Sequence, residues 1–133
     1  RVLDAEASFT PGPEEWSIKE VLVHLIHTER DLHGWINDLV SGQERFYDEW
    51  PGNRLLRIRA TLTTYPDVPS LIAELRRSFK ETVASVAFLD ERFTRRKTSY
   101  WRLGLDLMGT YEHFHEHLTQ IEDNIKAVRA STQ

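Results

Sequence analysis

Apolar residues recur at spacings of three and four along three stretches of this chain, and an amphipathic helix is the structure that turns such a pattern into one buried face. In the first stretch Ile18, Val21, Leu22, Leu25, Leu32, Ile36 and Leu39 fall on one stripe at 100° per residue. The pattern predicts a helix from Ser17 to about Val40. Its start is marked chemically, because Ser17-Ile18-Lys19-Glu20 has the capping-box form. Ser41-Gly42 supplies the stop. Leu71, Ile72, Leu75, Phe79, Val83, Val86 and Leu89 predict a helix over residues 70–89. Leu103, Leu107, Phe114, Leu118, Ile121, Ile125 and Val128 predict a last one over residues 103–129.

The segments between are less regular. Val2, Leu3, Ala5 and Phe9 look like the end of a helix with a truncated start, and Thr10-Pro11-Gly12-Pro13 then breaks it. Residues 43–69 carry Trp50-Pro51-Gly52-Asn53, Tyr65-Pro66 and Pro69. That is long for a plain loop, so a short helix covering a site is expected there. Leu55 to Thr64 fits helix and strand equally. Residues 90–99 are polar and basic and read as a connection, with Arg95-Arg96-Lys97 as solvated loop. A chain of 133 residues without repeats or a persuasive strand pair points to one domain, 1–133. Its expected fold is an all-α bundle.

Composition removes several function classes. The net charge is −4 with both signs interspersed, so the basic stripe of a nucleic-acid binder is missing. No apolar run approaches the length of a membrane span, and no secretory signal pattern is present. Cysteine is absent, which excludes disulfides, thiolate ligands and a cysteine nucleophile supplied by these residues, and fits a cytoplasmic protein.

Histidine carries the chemistry that remains. In Tyr111-Glu112-His113-Phe114-His115-Glu116-His117 the outer two histidines are four apart. On a helix they lie about one turn apart on one face and can converge on one ion. His115 points elsewhere. Glu112-x-x-His115 has the form of half a di-iron site, but the chain has no second Glu-x-x-His. His24 sits on the shoulder of the first long stripe. If the two helices pack side by side, His24, His113 and His117 enter one cleft. Three imidazoles with open positions suit a catalytic metal, and neutral imidazole suits zinc, nickel, iron or copper. Glu29 falls inside the stripe, where a carboxylate needs a partner or a solvent path. Glu29 and His115 are candidates for moving protons. His27 is expected to be solvated and His33 to be structural. Asp106 and Gln120 are candidates for orienting the imidazoles. Trp50, Tyr100 and Trp101 either line a pocket for an apolar substrate or pack in the core and loops.

Two motifs carry a resemblance. Trp16-Ser17-Ile18-Lys19-Glu20-Val21-Leu22-Val23-His24-Leu25, with Glu29 following, resembles a tryptophan-led helix bearing a first metal histidine. His113-x-x-x-His117-x-x-Gln120-Ile121 resembles the closing motif of the same family. Together, in order and spacing from Trp16 onward, they are similar to the DinB/YfiT-like metalloenzyme superfamily, the DinB-like domain. The resemblance implies a four-helix bundle of the DinB/YfiT type, here with its first helix truncated. It implies one divalent metal ion on His24, His113 and His117, zinc first, with nickel, iron or manganese as alternatives. Relatives include S-transferases that use low-molecular-weight thiols such as bacillithiol or mycothiol. The expected function is therefore a metal-dependent thiol S-transferase acting on a small-molecule substrate. A metal-dependent hydrolase, or a non-catalytic metal-binding or dimeric interaction protein, is the alternative. Relatives often dimerise, so a homodimer is expected.

Overall fold

The computed structural model describes residues 2–43 and 51–131, and the regular elements among them are all helices. They are α1 (Asp4–Ala7), α2 (Ile18–Ser41), α3 (Pro51–Thr64), α4 (Val68–Ala87), α5 (Glu91–Thr94) and α6 (Lys97–Ser131). The four long ones, α2, α3, α4 and α6, make an all-α bundle. None of the helices described is long and apolar enough to cross a membrane.

The bundle is built on α2, which packs against α3, α4 and α6. Its capping box forms as the sequence predicts. Ser17 Oγ accepts from the Glu20 amide at 3.3 Å, and Glu20 Oε2 accepts from the Ser17 amide at 2.8 Å. The helix ends at Gly42, whose φ of 73° is the left-handed conformation glycine adopts without a Cβ penalty. Arg96 completes that end by donating to the carbonyls of Leu39 and Val40, both at 2.9 Å. The basic cluster 95–97 is exposed, as expected, yet one of its members ties α2 to the start of α6.

Two apolar clusters share α2. The N-terminal half contributes Ile18, Leu22, Val23 and Ile26, which pack with Ala7, Ile58 and Leu71. The C-terminal half contributes Leu32, Ile36 and Leu39, which pack with Phe93 and Leu103. Leu25, 1 % exposed, sits between the two halves, so Leu25→Ala would cost about 2–5 kcal/mol.

The α2–α4 seam is polar at its centre. Glu29 is 1 % exposed and accepts a hydrogen bond from Thr82 Oγ1. His33 Nε2 bonds the same hydroxyl at 2.8 Å and the Ser78 carbonyl at 3.1 Å, which is the structural role its position suggested. Glu74, also buried, takes Arg30 at 2.7 Å and Arg77 at 2.7 and 2.8 Å.

Several expectations need correction. His27 is buried, and its Nε2 lies 2.9 Å from Thr61 Oγ1. The sequence left residues 55–64 undecided, and it is α3, formed there, that covers this side of α2. Residues 90–99 hold the short helix α5, capped where Asp90 Oδ1 accepts from the Phe93 amide at 2.8 Å. α6 begins at Lys97, several residues before its regular stripe, because Arg96 already accepts the Tyr100 amide at 3.0 Å. Only Asp4–Ala7 of the first segment is helical.

Candidate metal centre

Two helices position three imidazoles. His24 is on α2, and His113 and His117 are one turn apart on α6. All three are half-buried, and one ligand atom from each lies within 4.8 Å of the others. His24 Nε2 and His113 Nε2 are 2.9 Å apart. The ring centroids are 4.4–5.0 Å apart with interplanar angles of 71–88°. The rings therefore meet edge to face, and nitrogens converge where stacked faces would have kept them apart.

This arrangement fits a metal on its own terms. Nitrogens bound at 2.0–2.1 Å with angles between octahedral and tetrahedral values are about 2.9–3.4 Å apart, and the His24–His113 pair is at that spacing. The tautomer of His117 is fixed by Gln120, whose Oε1 accepts at 2.8 Å from Nδ1–H. In the neutral ring that bond puts the proton on Nδ1 and leaves the Nε2 lone pair as the one that can face a cation. Burial lowers the basicity of His113, and the neighbouring His117 lowers it further, which favours the neutral ring.

Trp16 forms one wall of the site. Its ring is 4.9 Å from that of His24 and stacks along that of His117 at 6.3 Å and 15°. Its carbonyl accepts from Asn124 Nδ2 at 2.7 Å, so α6 pins the residue just ahead of the α2 cap. Arg54 of α3 sets its guanidinium 5.7 Å over the same indole. The sequence pointed to Trp16 only through the tryptophan-led motif. A buried Asn124 on the inward face of α6 was a usable signal, while nothing local marked Arg54.

The other candidates are placed elsewhere. Glu29, five residues on from His24, is turned about 140° around α2 and faces Thr82 of α4. His115 is exposed and bonds Tyr111 Oη at 3.0 Å. Neither is brought together with the three imidazoles. Of the two candidate orienting groups, Gln120 holds an imidazole and Asp106 accepts from Trp35 Nε1. Tyr100 and Trp101 help line an apolar cavity of about 250 Å³ between the C-terminal end of α4 and α6, with none of the three histidines in its wall. Trp50 lies outside the described residues.

Nothing among the curated proteins or the solved structures matches the chain. The family model of the DinB superfamily matches residues 2–121, nearly the whole length. By that match, and in keeping with its helical bundle, this chain belongs to the DinB superfamily.

Proposed function

We propose that the chain is a metal-dependent thiol S-transferase in which His24, His113 and His117 hold one divalent metal, zinc in the first instance. The observation that carries this reading is the convergence of three imidazoles from two helices, with the His117 tautomer set by Gln120. No carboxylate joins that group among the described residues, so the protein donors leave coordination positions for a small molecule. A metal there supplies Lewis acidity and lowers the pKa of a thiol that binds it. The residues of the chain orient the imidazoles, wall the site with Trp16 and, through burial, favour the neutral form of His113. The transferred thiol comes from solution, because the sequence contains no cysteine. Its sulfur forms a bond to an electrophilic carbon, the leaving group departs with the bonding pair, and the thiol proton passes to solvent. A homodimer is part of the proposal, supported by large apolar side chains left exposed on α4 and α6, among them Phe79, Trp101 and Tyr111.

Elemental analysis of untagged protein tests the reading. About one divalent metal per chain is expected in wild type and none in His113→Ala/His117→Ala, with the helical spectrum unchanged. Loss of free thiol in the presence of an electrophile then tests the transfer, without background from protein thiols. Wild type that neither contains metal nor takes it up sinks the proposal.

A further inference from the structure

Thr28 Oγ1 donates to the His24 carbonyl at 3.1 Å, and Thr110 Oγ1 donates to the Asp106 carbonyl at 2.8 Å. Thr63, Thr64 and Thr119 fold back onto their helices in the same way, but on the exposed surface. Thr28 and Thr110 are half-buried instead, and the seam between α2 and α6 is where they are placed. Two contacts run that seam antiparallel, His24 with His113 and Trp35 with Asp106. On α2, Thr28 lies between His24 and Trp35 and within about 40° of both around the helix. On α6, Thr110 lies between Asp106 and His113 and within about 60° of both. The two hydroxyls therefore belong to one stretch of the seam, about one turn along from the imidazoles. There is room beside it. Gly109 sits one turn before His113, and a Cβ on it would meet nothing within 4 Å.

We propose that Thr28 and Thr110 are specificity-determining residues of the metal cleft, forming a subsite that accepts hydrogen bonds, and that the thiol taken there carries a hydroxyl or amide N–H three or four atoms along from its sulfur. The proposal rests on the metal-site reading above. A hydroxyl has one hydrogen and two lone pairs. In both threonines the hydrogen is committed to the carbonyl one turn back, so each oxygen has only lone pairs left to offer the seam. A ligand with an O–H or N–H completes that arrangement without disturbing it. A ligand with acceptors alone has to pull a hydroxyl off its carbonyl first, and gives up one bond for each that it makes. The reach fits as well. One helical turn is about 5.4 Å, a step that a three-carbon chain between sulfur and hydroxyl spans.

The test uses cobalt(II)-loaded protein, whose near-ultraviolet thiolate-to-metal band reports binding directly. Two isomers of one formula are titrated, 3-mercapto-1-propanol, which has a hydroxyl donor, and 2-methoxyethanethiol, whose oxygen only accepts. The readout is the ratio of their affinities in wild type, Thr28→Val, Thr110→Val, the double valine variant and the two serine variants. Valine keeps the shape of threonine and removes the oxygen, whereas serine keeps the oxygen. The ratio should favour the alcohol roughly tenfold more in wild type than in the double valine variant, with each single valine variant between them. Thr28→Ser and Thr110→Ser should keep the wild-type ratio. A purely structural role, in which the back-bond of Thr28 only steadies the His24 turn, would move both thiols together and leave the ratio unchanged, and that result overturns the proposal. Failure of wild type to take up cobalt overturns the metal reading and this proposal with it, whereas uptake with a ratio that ignores both threonines overturns this proposal alone.

Discussion

A single amide, that of Gln120, decides which nitrogen of His117 carries a proton. Without that acceptor the ring can rotate or present a protonated nitrogen to the cleft. Gln120→Ala should weaken metal binding about 10–100-fold while leaving the fold intact, as read by competition with a chromophoric chelator. Unchanged affinity would mean that packing alone orients the ring. Thr82 has a comparable hold on a different pair. Its hydroxyl donates to Glu29 and lies 2.8 Å from His33 Nε2, so Thr82→Val leaves a buried carboxylate and an imidazole short of a partner. A loss of about 1–3 kcal/mol in urea unfolding is expected, with metal content unchanged. Loss of metal from a folded Thr82→Val protein would instead connect Glu29 to the site.

Between elements, the α2–α4 seam contains a titratable clamp whose sign can be worked out. Hydrogen bonds from Arg77, opposed by burial and reinforced by Arg30, hold the Glu74 carboxyl at about 2 against an ordinary 4.5. A carboxylate depressed in the folded state stabilises it fully above its unfolded pKa, and that stabilisation is lost as pH falls through the folded value. Discounted for the solvent-facing guanidinium partners, Glu74 contributes about 1–3 kcal/mol at neutral pH. Glu74→Gln should therefore lower the urea midpoint at neutral pH, and the gap from wild type should close as pH drops from about 5 toward 2. A gap that persists at the acid end would show that the carboxylate charge is not what Glu74 supplies. The long helices α2, α4 and α6 were legible in the sequence because each repeats its apolar residues for five turns or more. The α3 segment was not, because Leu55, Leu56, Ile58 and Leu62 alternate with arginines in a way that suits either period. The same gap hid the burial of His27, whose partner Thr61 arrives on that undecided element. His113 and His117 could be paired from local spacing. His24 could not, since only packing brings it to residues 89 positions away. The family motif supplied that link where periodicity could not.

At the scale of the whole molecule, α2 joins two apolar clusters, a polar seam with α4 and the histidine contact with α6. An ion held by His24, His113 and His117 would cross-link α2 to α6 over most of the chain, so binding and folding should be coupled. A ligand bound only by the folded state stabilises it by RT ln(1 + [L]/Kd), about 2.7 kcal/mol at a hundredfold excess over Kd. For a chain of this length that corresponds to a rise in Tm of roughly 8–15 °C. The rise should grow with the logarithm of free zinc, vanish with chelator, and be absent in His24→Ala. Each removal has a separate meaning. His24→Ala cuts the bond between helices while leaving the pair on α6, so residual zinc binding without a shift in Tm would locate the coupling in the cross-link. A wild type whose Tm ignores zinc across that range would mean that the three rings are held by their own contacts. The 2.9 Å approach of His24 to His113 would then be a hydrogen bond between two histidines and nothing more.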